Sequence, residues 1–529
     1  MTLAQPPHTP QPGPPQQGFA PGAPAMPQLS KPSSTGLVLG IVGIVGLGLA
    51  SIFVLLFFVL QFGLSPIVLV AGFLGLFPLA FVVWALLALD RWEPEPRIAL
   101  WLSVLWGGIM AVLLTLLFNT YVLEPAFAVP FFSTPAFADP LYAILVPLFP
   151  ALGDLVAQGA SPGQALFQFY GPVIQAPFTE ELFKAVPVVV MFLFVRRHFD
   201  GPIDGFVIAG FSAAGFAYTE NILYFGRQLA EVGDASFIFF LRGVMSPLAH
   251  VIFTAVGVGL AMGFAARRSS RLWGLVALPV GLAVSMLLHA LWNSASFWVP
   301  AGMLGFFIYY ALVQVPIAVG ALLLVVMLRR FEARLTRLRL DEYAQAGWFS
   351  HEEAQLLSSS DGRLGLAQWA KPRGLGKAMQ AYIRITTRLA ANRQRAIIGR
   401  EKLGPVADEA RLLGDVSTLR THMASVGAGA PVVIGQGQRL PEPMQGSTPQ
   451  TQRFAPAPGA AQPWQQGWQY AMVQGGHGPA RESGGASSPL AGAAPQQPQG
   501  AVADPAPPAA QQQPPRPAPP QQQGGQQGW

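Results

Sequence analysis

The 529-residue sequence contains no cysteine, which excludes disulfides, thiolate metal sites and a cysteine nucleophile. Charge is also scarce: 11% of residues are charged, against 52% hydrophobic, and the mean hydropathy is +0.41. That balance excludes an ordinary soluble chain and predicts a polytopic membrane protein. Positive charge is missing from one long stretch, since no Lys or Arg occurs from Ile98 to Phe183. The net charge of +6 sits in arginines that bracket apolar runs and in the region after Leu328. This is the distribution of a cytoplasmic membrane face and gives no nucleic-acid footprint. No basic segment precedes the first apolar run, so no cleaved signal is expected.

What is present is a series of apolar runs long enough to span. They cover 36–63, 65–89, 98–119, 172–195, 203–225, 244–266, 272–292 and 303–328, each near the roughly 20 residues a crossing needs. The expected fold is all-α: a polytopic bundle of about eight transmembrane helices. Residues 1–35 and 425–529 are rich in Pro, Gln, Gly and Ala and are expected to be disordered tails. The transmembrane domain is placed at 36–330 and a basic helical segment at 331–424. Between spans, 123–170 carries Pro130, Pro135, Pro140, Pro147 and Pro150, and its apolar piece Leu141–Leu152 reads as interfacial or re-entrant. Beyond the last span, Ser350 and Glu353 have capping-box spacing. Lys377–Lys402 reads as a basic helix, lying either on anionic lipid or against its neighbours.

Lys and Arg set the orientation. Arg91 and Arg97, Arg196 and Arg197, Arg267, Arg268 and Arg271, then Arg329 and Arg330 mark alternate ends of the spans, with Arg227 as the exception. With eight helices, both termini fall in the cytoplasm and the 120–170 segment outside.

The chain is organised around Pro177–Lys184, with Glu180, Glu181 and Lys184 inside an apolar helix. An ionisable group in hydrocarbon costs about 2.5–3.5 kcal/mol on insertion scales and is functional by default. Lys184 is i,i+4 to Glu180 and i,i+3 to Glu181, so it can pair with either and leave the other for chemistry. Three later spans add Glu220 and Asn221, His250, and His289 with Asn293. Only these two of the seven histidines fall inside spans. Glu180, Glu220, His250 and His289 each lie about three to nine residues from the outer ends of their helices, which at about 1.5 Å per residue puts them at a similar level. Arg242 reads as an interfacial anchor, and Asp204 as a helix-terminus carboxylate.

Two chemistries fit this set. In one, His250, His289 and a glutamate such as Glu220 hold a divalent metal, most naturally zinc, and the remaining glutamate is the general base. In the other no metal takes part: a glutamate activates water, while His289 and Asn293 stabilise the oxyanion. Both hydrolyse a carbonyl. Glu180 and Glu181 are the leading bases, and Lys184 orients them. Two other classes remain open, a proton-coupled transporter or channel and a non-catalytic membrane scaffold.

These residues resemble the PrsW family of intramembrane proteases. The likeness rests on Glu180-Glu181-x-x-Lys184, on Phe216-x-x-x-Glu220, and on His250 opening a helix rich in small residues. His289-x-x-x-Asn293 and the charged turn Asp90–Pro96 complete it. It spans about 40–330. The family is similar to the type II CAAX prenyl endopeptidases and the abortive-infection-like proteases, whose second motif ends in His where this chain has Glu220. The resemblance implies an endopeptidase that cuts membrane-anchored proteins, such as an anti-sigma factor, near the extracytoplasmic face. The expected partners are membrane lipids and that protein substrate, with no nucleic acid.

Overall fold

The computed structural model describes residues 34–91, 95–196, 198–298, 302–399 and 405–428. The tails for which disorder is expected lie outside these almost entirely, as do Trp92, Glu93 and Pro94 of the charged turn. The chain divides into two units, Met1–Gly476 and His477–Trp529, and all described residues fall in the first. Among them there is no strand, in keeping with the all-α expectation.

The membrane part begins with α1 (Ser34–Phe62), α2 (Ile67–Leu89) and α3 (Arg97–Phe132). The proline-rich stretch that follows is helical: α4 (Pro135–Leu145), α5 (Ala151–Ala157) and α6 (Pro162–Tyr170). Two of its prolines, Pro135 and Pro162, occupy first helical turns, where an N–H would have no partner, while Pro140 lies inside α4. Ser161 and Gln164 close a capping box in front of α6. Phe132, Leu152, Leu166 and Phe169 are buried together, so this stretch has a core of its own.

A π-helical turn, Gly171–Gln175, leads from α6 into α7 (Ala176–Lys184), and α8 (Val186–Phe194) follows. Then come α9 (Pro202–Val232), α10 (Ser236–Ala266, interrupted at Ser246–Leu248), α11 (Trp273–Asn293) and α12 (Leu304–Gln345). Seven described helices are long and apolar enough to cross a membrane: α1, α2, α3, α9, α10, α11 and α12. The eighth expected span, 172–195, is broken at Ala185, because Pro187 has no N–H for the Phe183 carbonyl. The Trp106 indole donates to that carbonyl instead (2.9 Å), and the Ser212 hydroxyl donates to the carbonyl of Lys184 (2.9 Å).

The axis of the bundle is α9, buried on all sides from Pro202 to Phe216. Small residues allow this close packing. A Cβ on Gly215 would stand 1.9 Å from the Val104 carbonyl oxygen of α3, and one on Gly205 2.0 Å from the Gly259 oxygen of α10. Asp204 accepts from the backbone N–H groups of Asp200 and Gly201 and so closes the start of α9, as its position in the sequence suggested.

Past residue 330, α12 runs on from its apolar half to Gln345, and α13 (His351–Ser358), α14 (Ser360–Ala370), α15 (Gly376–Ile397) and α16 (Pro405–Ala428) follow. Ser350 caps α13 by accepting from the Glu353 N–H (3.0 Å). The basic helix α15 packs on its neighbours: Met379, Tyr382, Ile383 and Leu389 are buried in one core with Leu340, Tyr343 and Leu357. This bundle meets the membrane part where Arg395 pairs with Asp200 (3.2 Å) and Arg267 with Glu332 (3.1 Å).

Candidate active site

Local backbone rules put the acidic pair in place. Within the π turn, the Ala176 N–H reaches back to the Gly171 carbonyl. The next donor in that register would come from Pro177, which has none, so the Pro172 carbonyl is left over. Asn293 supplies the missing donor, its Nδ2 lying 2.8 Å from the Pro172 oxygen, and thereby ties the end of α11 to the start of α7. At the other end of α7, the break before Pro187 is held by Trp106 and Ser212. The segment carrying Glu180, Glu181 and Lys184 is thus anchored to α3, α9 and α11.

Glu181 is fully enclosed. Its Oε1 lies 2.6 Å from Lys184 Nζ and 2.9 Å from His289 Nδ1, and its Oε2 accepts from the Thr254 hydroxyl (2.7 Å). Three donors therefore meet one carboxylate, which is how a buried charge is tolerated. Glu180 is engaged more loosely. Its Oε2 stands 3.5 Å from Lys184 Nζ and 3.8 Å from His289 Nε2. Among the described residues its Oε1 has no partner.

The two imidazoles meet edge to face, with centroids 5.1 Å apart. His289 stacks on Phe253 and donates Nδ1–H to Glu181, so its Nε2 carries the lone pair on the side of Glu180. His250 is held from both sides. Lys184 Nζ donates to its Nδ1 (3.2 Å), and its Nε2–H donates to Glu220 Oε2 (2.8 Å). Lys184 itself is buried, over the Phe216 ring at 4.4 Å.

Arg242 closes the far side. It pairs with Glu220, donates Nε–H to Asn221 Oδ1 (2.8 Å) and lies over the Tyr224 ring at 4.2 Å. It is therefore part of the polar cluster and not an interfacial anchor. Its distance in sequence from His250, across the interruption in α10, hid this. Thr254 was also missed, although its i+4 spacing from His250 places both on one helix face.

Six of the residues singled out in the sequence thus converge: Glu180, Glu181, Lys184, Glu220, His250 and His289. Asn293 is bonded to the Pro172 carbonyl, and among the described residues no hydrogen bond joins it to these six. Ligand atoms of Glu180, His250 and His289 lie within 4.8 Å of one another, and all three residues are buried. Two imidazoles and a carboxylate form a donor set for a divalent cation. The His289–Glu181 bond is the outer contact that fixes a ligating imidazole. The residues fit such an ion, provided His250 exchanges one of its two present bonds for it.

A multi-pass helical membrane protein with a buried carboxylate–imidazole centre has the layout of an intramembrane hydrolase. Residues 95–321, which hold all of these side chains, match the family model described as PrsW family intramembrane metalloprotease. Over that segment the chain is similar to this family, as its motifs indicated, and the likeness supports a peptidase with a divalent metal. No curated protein and no solved structure matches the chain.

Proposed function

We propose that the chain is an intramembrane endopeptidase that hydrolyses membrane-anchored proteins close to the extracytoplasmic face, with both termini in the cytoplasm. The observation that carries this is the approach of Glu180, His250 and His289, from three separate helices, to within 4.8 Å. An anti-sigma factor is the substrate class that the family likeness suggests. The alternation of arginine-rich ends supports the orientation.

His250 and His289 would hold zinc, the ion favoured by imidazole and carboxylate donors. Such an ion polarises a carbonyl and makes its water acidic near neutral pH. Glu180 and Glu220 divide the remaining duties, one completing the donor set and the other taking the proton of the attacking water. The 4.8 Å grouping favours Glu180 as the ligand. The reverse is favoured by the unpartnered Oε1 of Glu180 and by the contact between Glu220 and His250. Glu181 does neither: with its three donors it fixes His289 and neutralises Lys184. Lys184 Nζ and Glu220 hold the His250 ring from its two sides, and one of these two contacts gives way when His250 ligates the ion.

The test is cleavage of a membrane-anchored reporter by the purified chain in lipid. Glu180→Gln and His289→Ala should each lose at least 100-fold in turnover, the scale of a lost acid–base group. Retained cleavage in both would overturn the assignment. Metal content of Glu180→Gln separates the two divisions of labour: loss marks Glu180 as the ligand, retention marks it as the base.

A further inference from the structure

Hydrolysis of a peptide bond needs a donor aimed at the carbonyl oxygen, where negative charge develops. Asn293, the sequence candidate, spends a donor on the Pro172 carbonyl and lies outside the cleft beside His250. That cleft is lined by Ala217, Asn221, Arg242, Ser246, His250 and Trp292, and its volume is about 10 Å³. This is room for about one water, the size of a single oxygen site.

Asn221 is 5% exposed. Its Oδ1 accepts from Arg242 Nε, which fixes which way the amide faces. The Nδ2 of the same amide has no acceptor among the described residues. Asn221 and His250 line the same cleft, so the unused donors of this fixed amide are open to a ligand there.

We propose that the Asn221 side-chain amide binds the oxygen of the scissile carbonyl in this cleft, and that Arg242 is the positioning residue that keeps its N–H groups facing the site. The proposal rests on the endopeptidase function given above. As water adds to the carbonyl carbon, the C=O π electrons move onto oxygen and Asn221 Nδ2–H donates to it. When the C–N bond breaks, those electrons return and the amine leaves with a proton from the base. Asn221 thus neither gains nor loses a proton.

The discriminating variant is Asn221→Asp. It is nearly isosteric, still accepts from Arg242, and replaces the donor by an anionic acceptor where the oxyanion would form. In the full chain reconstituted in lipid with the membrane-anchored reporter, kcat should fall 100- to 1,000-fold, the effect of one oxyanion donor. KM should stay within about threefold, because the donor acts on the transition state. The melting temperature should not fall, since the Arg242 contact is kept. Asn221→Ala should lose kcat similarly, and Arg242→Gln should lose it in part. A wild-type chain that cleaves while Asn221→Asp keeps its kcat would overturn this proposal alone. A wild-type chain that does not cleave would overturn the endopeptidase function and this proposal with it.

Discussion

Glu181 Oε1 and His289 Nδ1 are 2.9 Å apart, joining α7 to α11 at the centre of the bundle. The bond makes Glu181 the support of the site and leaves Glu180, its neighbour in sequence, facing the imidazole Nε2. The two glutamates should therefore respond differently to the same change. Glu181→Gln breaks a buried ion pair and should cost about 3–5 kcal/mol of stability, along with turnover. Glu180→Gln removes contacts of 3.5 and 3.8 Å, too long to be strong hydrogen bonds. It should abolish turnover with little change in melting temperature. Melting curves and reporter cleavage on both variants check this, and equal destabilisation would contradict it.

The Glu180–His250–His289 group should take up about one divalent ion per chain, as expected of a metalloprotease-like donor set. Elemental analysis of the purified chain should find zinc, and a chelator should remove both the ion and the cleavage. His289→Ala should bind none even in excess zinc. Full stoichiometry in that variant would place the ion elsewhere.

Of the two donors that hold the break after Lys184, the Trp106 indole N–H serves the Phe183 carbonyl and the Ser212 hydroxyl the Lys184 carbonyl. Trp106→Phe keeps the ring but leaves the Phe183 carbonyl without its donor, and should cost about 1–3 kcal/mol. Gly215→Ala should cost more, about 3 kcal/mol or above, since a backbone oxygen occupies the space of the new carbon. The order of the two melting temperatures is the check.

Outside the spans, burial pushes Asp90 up to about 7, against the opposing backbone N–H of Glu95. A carboxyl whose pKa is raised by folding is protonated in the folded chain where the unfolded chain is already charged. Stability should therefore fall as pH rises from about 4 to about 7 and level off above that. Asp90→Asn retains an acceptor and does not titrate. The melting temperature of the wild type relative to Asp90→Asn should decline across this window, and a constant difference would refute the effect.

Much of this was legible in the sequence, and the parts that were not have physical reasons. The spacing of Glu180, Glu181 and Lys184 on one helix, and the matching depth of Glu220, His250 and His289, announced a shared centre. Which glutamate meets His289 could not be read, because it depends on how α7 is rotated against α11. That rotation is set by the Asn293–Pro172 and Trp106–Phe183 bonds between distant segments. Hydropathy over 172–195 suggested one uninterrupted span, yet Pro187 withholds the donor that would have carried the helix through. In 120–170 the prolines looked like loop punctuation, but two of them open helices. Arg242 looked like an anchor because its partners, Glu220 and Asn221, come from the preceding helix.

The length of α12 has a consequence for the far end of the chain. Leu304–Gln345 is one helix of 42 residues, about 63 Å long at 1.5 Å per residue, or about twice the thickness of a hydrocarbon core. From Arg329 onward its charged half must stand clear of the lipid, so the α13–α16 bundle is carried on a stiff mast and does not hang from a tether. Tyr310, on the same mast, donates to the Met245 carbonyl at the edge of the cleft beside His250. One helix therefore links the bundle to that edge, alongside the Arg395–Asp200 and Arg267–Glu332 pairs.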